Sequence, residues 1–114
     1  MSANKRKGTS WESAIVRALH AAGFAGVERR ALNGSADRGD ITGIPDLVIE
    51  AKNQNRITLA EWVDEAEQEA RNAGGVYGVA WAHRKGCSSA MDGYVIMTGR
   101  TFTRILADLL GVNR

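Results

Sequence analysis

Arg38-Gly39-Asp40-Ile41-Thr42-Gly43-Ile44-Pro45-Asp46-Leu47-Val48-Ile49-Glu50-Ala51-Lys52 sets acids and a lysine beside strand-forming residues in the middle of a 114-residue chain. Leu47-Val48-Ile49 is apolar and then gives way to charge, the pattern of a strand that leaves a core and ends at solvent. Side chains alternate along a strand, so Glu50 and Lys52 share one face, about 7 Å apart along the backbone, and Ala51 takes the other. Gly39-Asp40-Ile41 is a shorter strand, and Thr42-Gly43-Ile44-Pro45, which holds the only proline, reverses the chain between the two. The reversal lays Asp40 beside Glu50. Two carboxylates on adjacent strands can share one hard divalent cation through oxygen, and a neighbouring lysine can act on a water or a phosphate.

Asp46 is the competing acid, since it follows Pro45 directly. It lies on the strand of Glu50 but four positions away, roughly 13 Å along the backbone, whereas each ligand of one Mg²⁺ must approach to about 2.1 Å. Asp40 is therefore the expected ligand. Asp46 is expected to be a turn acid, and stays open as the alternative.

The length suits one domain with one core, and 44% apolar with 25% charged residues is an ordinary globular composition. No apolar run approaches the ~20 residues of a membrane span, and Met1-Ser2-Ala3-Asn4-Lys5-Arg6-Lys7 lacks the apolar centre of a signal peptide, so a cytoplasmic protein without membrane contact is expected. The single cysteine, Cys87, excludes an internal disulfide and a thiolate zinc cluster. Net charge is only +2, but five of the thirteen acids (Glu61, Asp64, Glu65, Glu67, Glu69) fall in one predicted helix whose only base is Arg71. Outside that helix fourteen of the fifteen basic residues remain against eight acids, a surface suited to a polyanion such as nucleic acid.

Residues 1–8, with Lys5, Arg6 and Lys7, read as a flexible basic arm ahead of a single domain over residues 9–114. Thr9 and Glu12 have the spacing of a capping box, and Trp11, Ile15, Ala18, Leu19 and Ala22 recur at helical spacing before Gly23, which predicts a helix over 10–22. Strands are predicted over 27–32, 76–82 and 94–97, and helices over 59–72 and 100–110. Leu59, Trp62, Val63, Ala66 and Ala70 form one stripe with the acids opposite, and Phe102, Ile105, Leu106, Leu109 and Leu110 form another that is expected to face inward. Trp11, Trp62 and Trp81 all fall on apolar stripes or runs and are expected in the core. Arg29, Arg30 and Arg38 are expected to border the acidic pocket, and Arg84 and Lys85 to bring positive charge to another strand end, where phosphates are held.

The order helix, three strands, helix, two strands, helix, with Asp40, Glu50-Ala51-Lys52 and a helical Glu12, resembles the PD-(D/E)XK nuclease superfamily. Within it the basic start, the Gly/Ser loop before Asp40 and the short length look most like archaeal-type and phage-encoded Holliday junction resolvases. The resemblance implies an α/β fold, a single-domain mixed sheet flanked by helices on a restriction-endonuclease-like core. It also implies that Glu12, Asp40 and Glu50 bind Mg²⁺, for which Mn²⁺ substitutes, that Lys52 assists catalysis, and that Ser35 matches a loop serine near the site. The implied enzyme is a homodimer that cuts branched DNA by attack of a metal-activated water on the phosphodiester, in the host cytoplasm if phage-encoded. Lys5, Arg6, Lys7, Arg29, Arg30, Ser35, Arg38, Arg84 and Lys85 would contact the DNA, through backbone and shape more than through base edges. Two departures stand out: Gly39, not proline, precedes Asp40, and the hairpin to Glu50 is short. A flap, nicking or restriction-type nuclease of the same fold and a catalytically silent DNA-binding module are the alternatives.

Overall fold

The computed structural model describes residues 3–30 and 40–112, with side chains from Arg6 onward. Three helices, α1 (Ala3–Ala21), α2 (Leu59–Ala73) and α3 (Gly99–Leu110), accompany five strands, β1 (Glu28–Arg29), β2 (Ile41–Thr42), β3 (Leu47–Lys52), β4 (Tyr77–Ala82) and β5 (Tyr94–Ile96). The strands form one sheet in the order β1-β2-β3-β4-β5. Only β3 and β4 run parallel, paired from Leu47↔Tyr77 to Lys52↔Ala82, because α2 carries the chain back between them. The other neighbours are antiparallel, so the molecule is a single α/β domain with a mixed sheet.

Alternation along β3 divides the interior in two. Leu47, Ile49 and Ala51 join Trp11, Ile15, Val27, Ile41 and Val79 in the main core against α1. On the other face Val48, Glu50 and Lys52 are all buried, against the side of the sheet that α2 covers. The indoles fix the first layer through their N–H groups: Trp11 Nε1 donates to the Trp81 carbonyl at 2.9 Å, and half-buried Trp81 donates to the Ala90 carbonyl at 3.0 Å. Two glycines permit the close approaches. Gly43, at φ 108°, turns the β2–β3 hairpin where a Cβ would strike the Gly26 carbonyl, and Gly78 on β4 lies directly against the backbone of Ala66 and Glu67 in α2.

Two sequence expectations are corrected. The basic arm is helical from Ala3, so α1 begins seven residues before Ser10 and Thr9 lies inside it rather than capping it. Lysine and arginine are good helix formers, and Lys7 is tied down by donating from Nζ to Asn55 Oδ1 at 2.9 Å. The α3 stripe also does not face inward. Only Thr101 is buried there, while Phe102 is 51% exposed, Leu109 75% and Leu110 70%. Periodicity reports an apolar face but not whether anything covers it. The strand foreseen over 27–32 is paired only at Glu28–Arg29, and residues beyond 30 on that side lie outside the described residues.

Candidate metal-carboxylate site

Glu50 enters the site because β3 keeps strict alternation to its last residue. It is 4% exposed, and its Oε2 has no hydrogen-bond partner. The register Ile41↔Ile49 brings Asp40 beside it, and the Asp40 carboxylate is held there by accepting from the Ala51 amide at 2.9 Å. Backbone bonds from Asp40 N to Ile49 O (3.1 Å) and from Arg30 N to Asp40 O (2.8 Å) fix both sides of the residue. Glu12 reaches the same place from α1, close enough to feel the Asp40 charge, and pairs with Arg29 Nε at 3.3 Å. Lys52 Nζ, on the face of Glu50, donates to both oxygens of Glu65, at 2.8 and 3.1 Å. Glu12, Asp40, Glu50 and Lys52 are therefore brought together by three elements.

Asp46 is not among them. It is exposed at the opposite end of β3 in a left-handed conformation, φ 65°, which Asp tolerates better than most residues. Its carbonyl accepts from the amides of Val76 and Tyr77 at 2.9 and 2.8 Å, a turn role that sets the start of β4.

Two acids of α2 belong to the cluster and escaped the sequence reading: Glu65 is exposed as expected but reaches Lys52, whereas Glu69, expected on the solvent side, is buried. Glu69 is 2% exposed, and Glu50, Glu65 and Glu69 each offer an oxygen within 4.8 Å of the others. The signal was present in the spacing: Glu69 lies seven residues past Trp62, nearly two turns, and so returns to the buried side.

The electrostatics follow from this crowding. Burial first, then the adjoining carboxyls of Asp40 and Glu69, drive the Glu50 pKa far above the carboxylate range. Glu12 is raised by burial and by Asp40, against the opposing pull of Arg29. Burial alone would lower Lys52, but the hydrogen bond that Lys52 donates to Glu65 and the charges of Glu50, Glu65 and Glu69 outweigh burial and raise its pKa. Five carboxyls face Arg29 and Lys52 here. Among the described residues the acids whose oxygens lie within 4.8 Å of one another are Glu50, Glu65 and Glu69. This hard oxygen set, with a buried Glu50 oxygen, fits a divalent cation such as Mg²⁺ or Mn²⁺. Asp40 and Glu12 adjoin it without belonging to that triplet.

The expected DNA-contacting residues separate into two groups. Arg29 and Arg30 flank the carboxylates, Arg30 donating to Thr42 Oγ1 at 3.1 Å. Lys7, Arg84 and Lys85 surround a cavity at the C-terminal ends of β3 and β4. Arg6 is exposed on α1, whereas Ser35, Arg38 and the Lys5 side chain lie outside the described residues. Among the described residues no helix is long and apolar enough to cross a membrane. No protein-family model, curated protein or solved structure matches this chain, so its site is read from its own geometry.

Proposed function

We propose that this chain is a metal-dependent phosphodiester hydrolase on a restriction-endonuclease-like core. More particularly, we infer a cytoplasmic, structure-selective DNA endonuclease that resolves four-way junctions, as the resembled resolvases do. The observation that supports it best is the convergence of Glu12 from α1, Asp40 from the residue before β2, and Glu50 and Lys52 from β3.

Glu12, Asp40 and Glu50 would hold Mg²⁺, or Mn²⁺ in its place. The cation supplies Lewis acidity, lowering the pKa of a water and offsetting charge on the phosphate. The chain does the rest. The Ala51 amide orients Asp40, and Glu65 fixes the Lys52 ammonium where it can stabilise charge developing on a phosphate oxygen. Half-exposed Arg29 neutralises Glu12 and is placed to meet an incoming phosphate.

The reading is tested by incubating the protein with matched four-way, flap, linear duplex and single-stranded DNA, with Mg²⁺ and with chelator. Paired nicks in the four-way substrate are expected, and equal cutting of linear duplex would sink the resolvase claim. Asp40→Ala is expected to lower the cleavage rate about a hundredfold or more, while Asp46→Ala cuts as wild type. The reverse pattern would transfer the ligand role to Asp46. A catalytically silent DNA-binding module is the second reading, favoured by the near-complete burial of Glu50, and it predicts DNA retention with no cutting in any arm.

A homodimer completes the proposal, and the uncovered stripe of α3 suits a second copy of this chain. Sedimentation equilibrium is expected to give twice the chain mass for wild type and the single mass for Leu109→Asp. A wild-type monomer at high protein concentration would remove the dimer from the proposal.

A further inference from the structure

A cavity of about 760 Å³ opens immediately beyond Lys52, between the loop that follows β3, the start of α2 and the ends of β4 and β5. Its composition is the reverse of the neighbouring site. Lys7, His83, Arg84 and Lys85 line it with three amide side chains, and among the described residues no carboxylate does. The cavity also carries apolar surface at an unusual level of exposure: Ile57 is 69% exposed, Leu59 49% and Tyr94 54%.

The amides are oriented. Gln54 Oε1 accepts from the Trp62 indole at 3.2 Å and Asn55 Oδ1 accepts from Lys7 at 2.9 Å, so each turns its NH₂ group to donor duty. The Arg84 guanidinium lies 5.6 Å from the centre of the Tyr94 ring, which holds a cation and an aromatic face together at the rim. Fixed donors, several cations and an exposed ring form a surface for an anion that also bears flat acceptor-bearing rings. Duplex DNA offers phosphates but keeps its base faces stacked inside, whereas an unpaired strand offers both.

We propose that this cavity binds an unpaired DNA nucleotide, its base against Tyr94 and its phosphate against Arg84, Lys85 and Lys7, next to the carboxylate site. The inference rests on the nuclease reading, and it names the feature of a branched substrate that the protein grips: a base at the branch point, where stacking is interrupted and a pair opens at least cost. β3 and β4 end together, with the His83 amide donating to the Lys52 carbonyl at 2.8 Å, so the cavity adjoins the strand end that carries Lys52 and Glu50.

The test is equilibrium binding by fluorescence anisotropy in chelator, so that cleavage plays no part. The probes are a labelled short oligothymidylate, an abasic oligonucleotide of the same length and the matching duplex. Wild type is expected to prefer oligothymidylate over the abasic strand. Tyr94→Ala should weaken oligothymidylate binding about five- to a hundredfold and leave the duplex unchanged, and Tyr94→Phe should restore it. Arg84→Ala should reduce the salt slope on single strands by about 0.7. Equal binding of the abasic strand, or a Tyr94→Ala protein of unchanged melting temperature and unchanged oligothymidylate affinity, would overturn the proposal. Failure of cutting with Mg²⁺ alongside intact single-strand preference would instead remove the nuclease reading and leave the cavity's ligand standing.

Discussion

Glu50→Gln is expected to abolish Mg²⁺-dependent cleavage, by about a hundredfold or more, while making the metal-free protein more stable at pH 8. Both effects come from one buried carboxyl. In the unfolded chain Glu50 loses its proton near pH 4.5, whereas in the folded protein burial, Asp40 and Glu69 make it keep that proton. Unfolding therefore releases a proton above about pH 4.5, and the contribution of this group to stability falls as pH rises from there. Glu12 acts with the same sign. Lys52 is raised above 10.5, so its contribution is constant below that pH and adds no slope between pH 6 and 8. Thermal melts in chelator should show the midpoint dropping from pH 6 to pH 8, and the Gln variant should flatten the drop. Mg²⁺ should restore wild type more at pH 8 than at pH 6, because a ligand carboxyl must first lose its proton. A melting curve independent of pH, or a cutting-competent Gln variant, would remove Glu50 from the role assigned to it.

Gly78→Val is expected to cost about 3 kcal/mol or more, a large part of the ~5–15 kcal/mol that holds a domain together. Nothing soft lies in the way of the added carbon: it meets the carbonyl of Ala66 and the Cα of Glu67, both main-chain atoms of α2. The helix must then lift from β4. Glu65 and Glu69 move with it, so the partner of Lys52 and the neighbour of Glu50 leave together. Urea unfolding followed by circular dichroism should place this variant far below wild type, whereas Gly99→Ala, at an open position in the first turn of α3, should change stability by less than about 1 kcal/mol. Equal midpoints for the two variants would show that the α2–β4 contact is looser than drawn.

The opening stretch was legible because its physics is local. An apolar triplet ending in charge made β3, and the reversal over 42–45 was enough to place Asp40 against Glu50. What failed was nonlocal. Lys5-Arg6-Lys7 has no apolar face of its own, so nothing in the sequence announced that α1 would start at Ala3 and that Lys7 would find Asn55. The α3 stripe was visible, but its lack of a cover was not. Glu69 was passed over because acids are normally solvated, and a rule about residue type displaced the helical spacing that pointed it inward, while exposed Glu65 joins the site only through Lys52. Of the cavity beside Lys52 only Arg84 and Lys85 at the end of β4 were visible in the sequence, since its walls come from α1, α2, β4, β5 and a loop.

The tryptophans also divide the molecule optically. Trp11 and Trp81 are joined indole to carbonyl in one chain of hydrogen bonds across the α1 side of the sheet, so their emission is tied to the intact core. Trp62 stands apart on α2, its N–H bonded to Gln54 in the wall of the cavity, where a bound base would change its surroundings. A Trp62→Phe protein should therefore fluoresce mainly as a reporter of folding, with Trp11 touching the cavity only through the edge of His83, and the difference between it and wild type gives the light of the tryptophan in the cavity wall.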